Sequence, residues 1–199
     1  RSIWVTGVQT CALPISVLTF APHRRHGFAR TTAVLDQLGL TIVDALITPT
    51  GDGSTLDLFH VLEDDGAPIT DSDRQSEIER ALWRSVQQRD DSAFAVSRRA
   101  PRQARMFHTP TQIAVSVDER NRRSVVELVA GDRPGLLCDV GKVLMDERVV
   151  LHAAKIMTVG ERAEDVFYVT DFEGRPLEAG AADRLKARLT EALDRRAAA

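Results

Sequence analysis

The chain carries one pattern twice, and this duplication limits its folds more than any other feature. Phe20-Ala21-Pro22-His23-Arg24-Arg25-His26-Gly27-Phe28-Ala29 aligns with Val129-Ala130-Gly131-Asp132-Arg133-Pro134-Gly135-Leu136-Leu137-Cys138 at an offset of 109. The register continues through Ile42 with Leu151, Ala45 with Ala154, Ile47 with Ile156 and Gly51 with Gly160. One residue of slippage then brings Asp57 onto Asp165, Phe59 onto Phe167 and Val61 onto Val169, and Gly66-Ala67-Pro68-Ile69 onto Gly174-Arg175-Pro176-Leu177. A period of this length is too great for a solenoid and implies two copies of a domain. A chain of 199 residues has room for two small domains.

Each copy reads as strand, helix, strand, strand, helix. In the second copy, residues 125–130 form a short apolar run, and Asp132-Arg133-Pro134-Gly135 breaks it. Leu136, Leu137, Val140, Val143 and Leu144 then recur at helical spacing. Residues 149–159 and 165–170 are β-rich segments around a turn at Gly160. Leu185, Leu189 and Leu193 mark a closing helix. In the first copy a helix is predicted over 27–38 with Phe28, Thr31, Leu35 and Leu38 inward, followed by strands at 40–48 and 55–63. A last helix carries Ile78, Leu82 and Val86, opened by Ser72 with Gln75 three residues on. Residues 111–117 add a strand ahead of the second copy, and the equivalent strand of the first copy is expected to be truncated. The predicted fold class is α+β: two ferredoxin-like βαββαβ domains, each an antiparallel sheet with helices on one face.

The expected boundaries are 17–89 for the first domain, 90–109 for a basic solvated linker and 110–196 for the second domain. The linker holds Arg98-Arg99-Ala100-Pro101-Arg102-Gln103-Ala104-Arg105; docking on an acidic surface is the alternative role for these charges. Residues 5–15 resemble the translation of a short-read sequencing adapter, so residues 1–16 are expected to be an artefact outside the fold. Cys138 is then the one cysteine left to consider, which favours a reducing cytoplasm and a small apolar packing role. A net charge of -3 gives no general reason to bind nucleic acid or an anionic membrane. No apolar run reaches the length of a membrane helix.

Asp132-Arg133-Pro134-Gly135-Leu136-Leu137 resembles the ACT domain signature, in which a strand ends in an Asp-x-Pro-Gly loop and enters a helix. The run His152-Ala153-Ala154-Lys155-Ile156-Met157-Thr158-Val159-Gly160-Glu161-Arg162 and onward to Phe167 is more specific. It resembles the C-terminal ACT domain of the bifunctional uridylyltransferase/uridylyl-removing enzymes that modify the PII nitrogen-signalling protein. The first copy is similar to that family's first ACT domain through Leu35-Asp36, Asp44-Ala45, residues 52–57 and Val61-Leu62-Glu63-Asp64-Asp65-Gly66. The resemblance implies paired domains that report glutamine to catalytic domains lying upstream, and through them act on PII. The chain is accordingly expected to be the regulatory tail of a larger enzyme, with no catalytic centre and no cofactor of its own. Divalent metal would serve the upstream domains. Asp71 and Asp73 copy a metal motif but open a helix, where capping is the expected role.

The chemistry of the second loop suits an amino acid. A helix N-terminus offers N–H groups to a carboxylate, Asp132 can accept from an ammonium, and Gly135 permits close approach, with Pro134 at the first helical position. The same residues also suit an ordinary cap and a tight turn; the resemblance favours ligand binding. Asp132, Arg133, Pro134, Gly135, Leu136 and Leu137 are therefore the candidate site. In the first copy His23 replaces Asp132, Arg25 replaces Pro134 and His26 replaces Gly135, with the close-approach glycine displaced to Gly27. His23, His26 and Gly27 form a weaker candidate. His152 and Lys155 point to opposite faces of a strand. Other readings are a freestanding ACT-repeat regulator acting by protein contact, an RNA-binding sheet, which lacks the required exposed aromatics and basic face, and a stand-alone enzyme, for which no nucleophile–base pair is present. ACT–ACT pairing within or between chains is open at this point.

Overall fold

The computed structural model describes residues 2–6, 14–22, 26–50, 52–87, 96, 98 and 109–197. The first repeat runs β1 (Ser2–Thr6), β2 (Ile15–Pro22), α1 (Gly27–Gln37), β3 (Leu40–Pro49), β4 (Ser54–Glu63) and α2 (Ser72–Gln87). The second runs β5 (Gln112–Asp118), β6 (Arg123–Gly131), α3 (Leu136–Asp146), β7 (Val150–Lys155), β8 (Thr158–Val159), β9 (Arg162–Thr170) and α4 (Ala179–Ala197). The bounds of α1 and α3 differ by the repeat offset of 109 at both ends.

All strand pairs are antiparallel, and the sheet order is β1-β2-β4-β3-β7-β9-β6-β5, with β8 beside β9. Each half has the ferredoxin-like arrangement, with its edge strand supplied from the N-terminal side. Strand alternation explains the inward face: Asp57, Phe59 and Val61 in β4, and Asp165, Phe167 and Val169 in β9, are buried. The predicted inner residues Ile78 and Leu82 in α2, and Leu185, Leu189 and Leu193 in α4, are buried too.

The two halves are joined side by side. Strand β3 pairs with β7 through Asp44 with Lys155, Ala45 with Ala154 and Leu46 with Ala153. Ala45 and Ala154 are partners in the sequence repeat as well as in the ladder, so a local two-fold axis passes between them. The Ile156 N–H donates to the Val43 carbonyl at 3.1 Å, adding a further bond across the join. On one face the helices lie in the order α2-α1-α3-α4, with α1 against α3.

Four expectations need correction. Residues 1–16 do not all lie outside the fold: Ser2–Thr6 pair with β2 from Ser2 with Phe20 to Thr6 with Ser16, and Ile15 is in the core. Strand β1 takes the position expected to be missing, and without it β2 would present an unpaired edge. In α1 it is Thr32, not Thr31, that is buried, together with Ala29 and Ala33. The cause is a second packing face: α1 covers the sheet with Phe28 and Leu35 and meets α3 with its small residues. The linker is not wholly solvated either. Val96 is buried with Ala29, Ala33 and Cys138, and Arg98 ion-pairs with Asp36 and Asp64; residues 88–95, 97 and 99–108 lie outside the described residues. The cap of α2 shifts by one residue, since Asp71 Oδ1 accepts from the Asp73 N–H at 2.7 Å.

Gly141 is where α3 comes closest to α1. A Cβ there would lie 2.8 Å from the Phe28 ring, 2.9 Å from Ala29 Cβ and 3.0 Å from Ala29 Cα. The ring can swing but the backbone cannot. Gly141→Leu is therefore expected to cost about 2 kcal/mol through overpacking, read as a lowered urea midpoint. An unchanged midpoint would mean that the helices do not meet here.

Candidate functional site

The strand β6 ends at Gly131, and the Asp132-Arg133-Pro134-Gly135 loop leads into α3. Gly135 is the N-cap, in the left-handed region with φ 83°, and Leu136 is the first helical residue. Pro134 therefore precedes the cap instead of occupying the first turn, and Asp132 does not cap the helix. The Asp132 N–H donates to the Glu161 carbonyl at 2.9 Å, which ties the loop to the β8–β9 turn. The Thr158 hydroxyl donates to the Asp132 carboxylate at 3.4 Å. Burial raises the Asp132 carboxyl above its ordinary range, against the opposing pull of the Thr158 hydroxyl.

The other candidates in this loop have structural partners. Arg133 forms an ion pair with Asp139 of α3 at 2.9 Å, both side chains being largely buried. Leu136 is in the core and Leu137 packs against it. The Gly135 N–H, at the helix N-terminus where a ligand carboxylate is expected, already donates to the Asp36 carboxylate of the first repeat. Asp36 is held in turn by Arg98, whose Nη1 donates to the Asp36 main-chain oxygen at 2.9 Å and lies 3.4 Å from its carboxylate. Arg98 Nη2 reaches Asp64 at 3.0 Å. Burial raises the Asp36 carboxyl, while the Gly135 bond and Arg98 pull it down.

An open space lies at the first repeat. A cavity of about 80 Å³ is lined by His26, Gly27 and Phe28 at the start of α1, by Ile47 and Pro49 of β3, and by Thr55 and Asp57 of β4. The second repeat closes it with Gly141, Leu144 and Met145 of α3, with Val149 to Leu151, and with Phe172. The site is thus shared between repeats. Its expected members meet different fates. His26 takes the cap position with φ 60°, equivalent to Gly135, while a Cβ on Gly27 would meet nothing within 4 Å. Gly27 thus faces open space in the cavity wall, and no protein atom approaches it closely. His23 lies outside the described residues.

Asp57 is the residue missed as a site candidate. It is 7% exposed, its Oδ1 has no hydrogen-bond partner, and it lines the cavity. Burial pushes its carboxyl up to about 7, against a weaker pull from the Thr55 hydroxyl. Its repeat partner Asp165 is 1% exposed and is also pushed up to about 7 by burial, opposed by the Met157 N–H and reinforced by the charge of Asp132. An acid on the inward face of a central strand in both copies was the available signal. His152 lies apart from both loops, bonded to the Thr170 hydroxyl at 2.9 Å. Lys155 is exposed in the β3–β7 join. Among the described residues no cluster of three or more His, Cys, Asp or Glu could hold a metal, and no helix is long and apolar enough to cross a membrane.

No protein-family model matches the chain. Curated relatives do. The chain is 46% identical to the bifunctional uridylyltransferase/uridylyl-removing enzyme of Methylococcus capsulatus over 170 residues, which is 85% of this chain and 19% of that protein. It is 41% identical to the enzyme of the same name from Stutzerimonas stutzeri over 162 residues, 81% of this chain and 18% of that one. For Pseudomonas aeruginosa the figures are 39% over 179 residues, 89% and 20%. Among solved structures, aspartate kinase from Synechocystis aligns with a TM-score of 0.43 at 11% identity, over 90% of this chain and 26% of that one. Over more than four-fifths of its length the chain is therefore homologous to the bifunctional uridylyltransferase/uridylyl-removing enzymes, and it spans about a fifth of their length.

Proposed function

We propose that this chain, homologous to a segment of the bifunctional uridylyltransferase/uridylyl-removing enzymes, is an ACT-type regulatory pair that senses glutamine and carries no catalysis itself. The observation that carries this reading is the cavity between the repeats, lined by the start of α1 and by Asp57, whose buried Oδ1 has no hydrogen-bond partner. A helix N-terminus suits an α-carboxylate. Asp57 suits a hydrogen-bond donor, whether an ammonium or a side-chain amide. Phe28, Ile47, Leu144 and Met145 offer apolar walls for the methylenes between these groups. The volume would hold roughly half a dozen water molecules.

Because both repeats line the cavity, a bound ligand would favour one relative placement of the repeats over others, as allosteric coupling requires. In the parent protein that bias would reach catalytic domains outside this segment, and so the uridylylation of PII in the cytoplasm. Divalent metal, if used, belongs with those domains.

Calorimetry of the chain with L-glutamine tests the reading. Saturable binding is expected, with at least a tenfold loss of affinity in Met145→Trp, whose indole would fill the cavity. No heat from folded protein at millimolar glutamine would rule the reading out.

A further inference from the structure

Helices α1 and α3 start at equivalent positions of the repeat, capped by His26 and Gly135, but the surroundings of the two caps differ. At the first repeat, the residue that α3 sends toward the α1 N-terminus is Met145, which leaves the cavity open. The repeat offset makes Asp36 its counterpart, and α1 sends Asp36 toward the α3 N-terminus. There the Asp36 carboxylate accepts the Gly135 N–H, occupying the position that a ligand carboxylate would take. Behind the same loop, Asp165 is 1% exposed with an Oδ2 that has no hydrogen-bond partner, and it is near enough to feel the charge of Asp132. The second loop therefore has its own buried acceptor, as the first has Asp57, but its anion position is filled from within the chain.

We propose that Asp36 is a built-in carboxylate ligand of the second repeat, so that only the first repeat is open to an amino acid. An acid in the last turn of a helix opposes the helix dipole, and this cost needs an offset elsewhere. The Gly135 N–H and Arg98 supply it. Arg98 belongs to the segment between the repeats and reaches both Asp36 and Asp64, so that segment holds the internal ligand in place. Val96, buried against Ala29, Ala33 and Cys138, anchors the same segment over the α1–α3 seam. The proposal rests on the amino-acid-sensing reading for the identity of the ligand, but not for the occupancy of the loop.

The test uses the 199-residue chain and its Asp36→Met and Asp36→Ala variants, with circular dichroism confirming the fold. Asp36→Met places at the second loop the residue already present at the first, which protects the test against a packing failure. Calorimetry with L-glutamine is expected to give one site in the parent chain and two in the variants. The Gly135 amide resonance, titrated with sodium acetate at constant ionic strength, is expected to stay fixed in the parent chain and to shift saturably in the variants. One site throughout, with Gly135 unmoved by acetate in folded variants, overturns the proposal. If no chain binds glutamine yet Gly135 of the variants takes acetate, the sensing reading fails and the internal ligand stands.

Discussion

Replacing Asp165 by Asn is expected to stabilise the protein by up to about 4 kcal/mol at pH 8, with little effect at pH 4. The basis is a buried carboxyl pushed up to about 7 from an ordinary 3.8, a difference worth about 1.4 kcal/mol per pH unit. The native state holds a proton that the unfolded state releases over this window. Stability is therefore full below about pH 4 and falls as pH rises to about 7, then levels off. Asp57 follows the same course for the same reason, so Asp57→Asn should remove a similar share of the slope. The neighbours differ: the Met157 N–H and the Asp132 charge act on Asp165, and the Thr55 hydroxyl acts on Asp57. Urea unfolding from pH 4 to 8 measures both effects. A parent chain with no decline over that range would show that these acids are solvated or paired.

Truncating Phe59 to Ala is expected to cost about 3–5 kcal/mol, the range for removing a fully buried aromatic ring. Phe59 has no exposed surface, and its ring stacks on Phe28 with centroids 6.1 Å apart and planes at 21°. Phe28 in turn lines the cavity and abuts the Gly141 position of α3. The variant thus removes the support behind one wall of the site, and glutamine affinity should fall along with the melting temperature. Phe59→Leu keeps most of the volume and should cost far less. A loss below about 1 kcal/mol in Phe59→Ala would contradict the central place given to this ring.

Much of this fold is legible in the repeat itself. The offset of 109 relates the bounds of α1 and α3, and the shift to 108 places Asp57 and Asp165 on the same inward face of equivalent strands. Helical and alternating periodicities identified the elements because each has one face against a common core. What they could not reveal is contact between the copies. The second buried face of α1 consists of Ala29, Thr32 and Ala33, small residues that carry no amphipathic signal. The β3–β7 join uses two alanines at its centre, with nothing in local sequence to pair them.

The same blindness governed the site. The Asp-x-Pro-Gly pattern marks the second loop, whereas the space beside each helix N-terminus depends on the residue the other repeat sends to it. Asp36 closes one and Met145 leaves the other open. The departures of the first repeat from the pattern at His23, Arg25 and His26 leave the cavity in place, because half of its lining residues come from β3, β4 and α3.

The central claim is that an amino acid binds at the seam of the first repeat with the second. Amide shift mapping of the chain on addition of L-glutamine tests it most directly. The account predicts saturable shifts concentrated at Gly27, Phe28, Ile47, Asp57 and Met145, with Gly135 little changed. Shifts centred on Asp132 to Leu137 with the first-repeat cavity unmoved, or no shifts at millimolar glutamine, would contradict it.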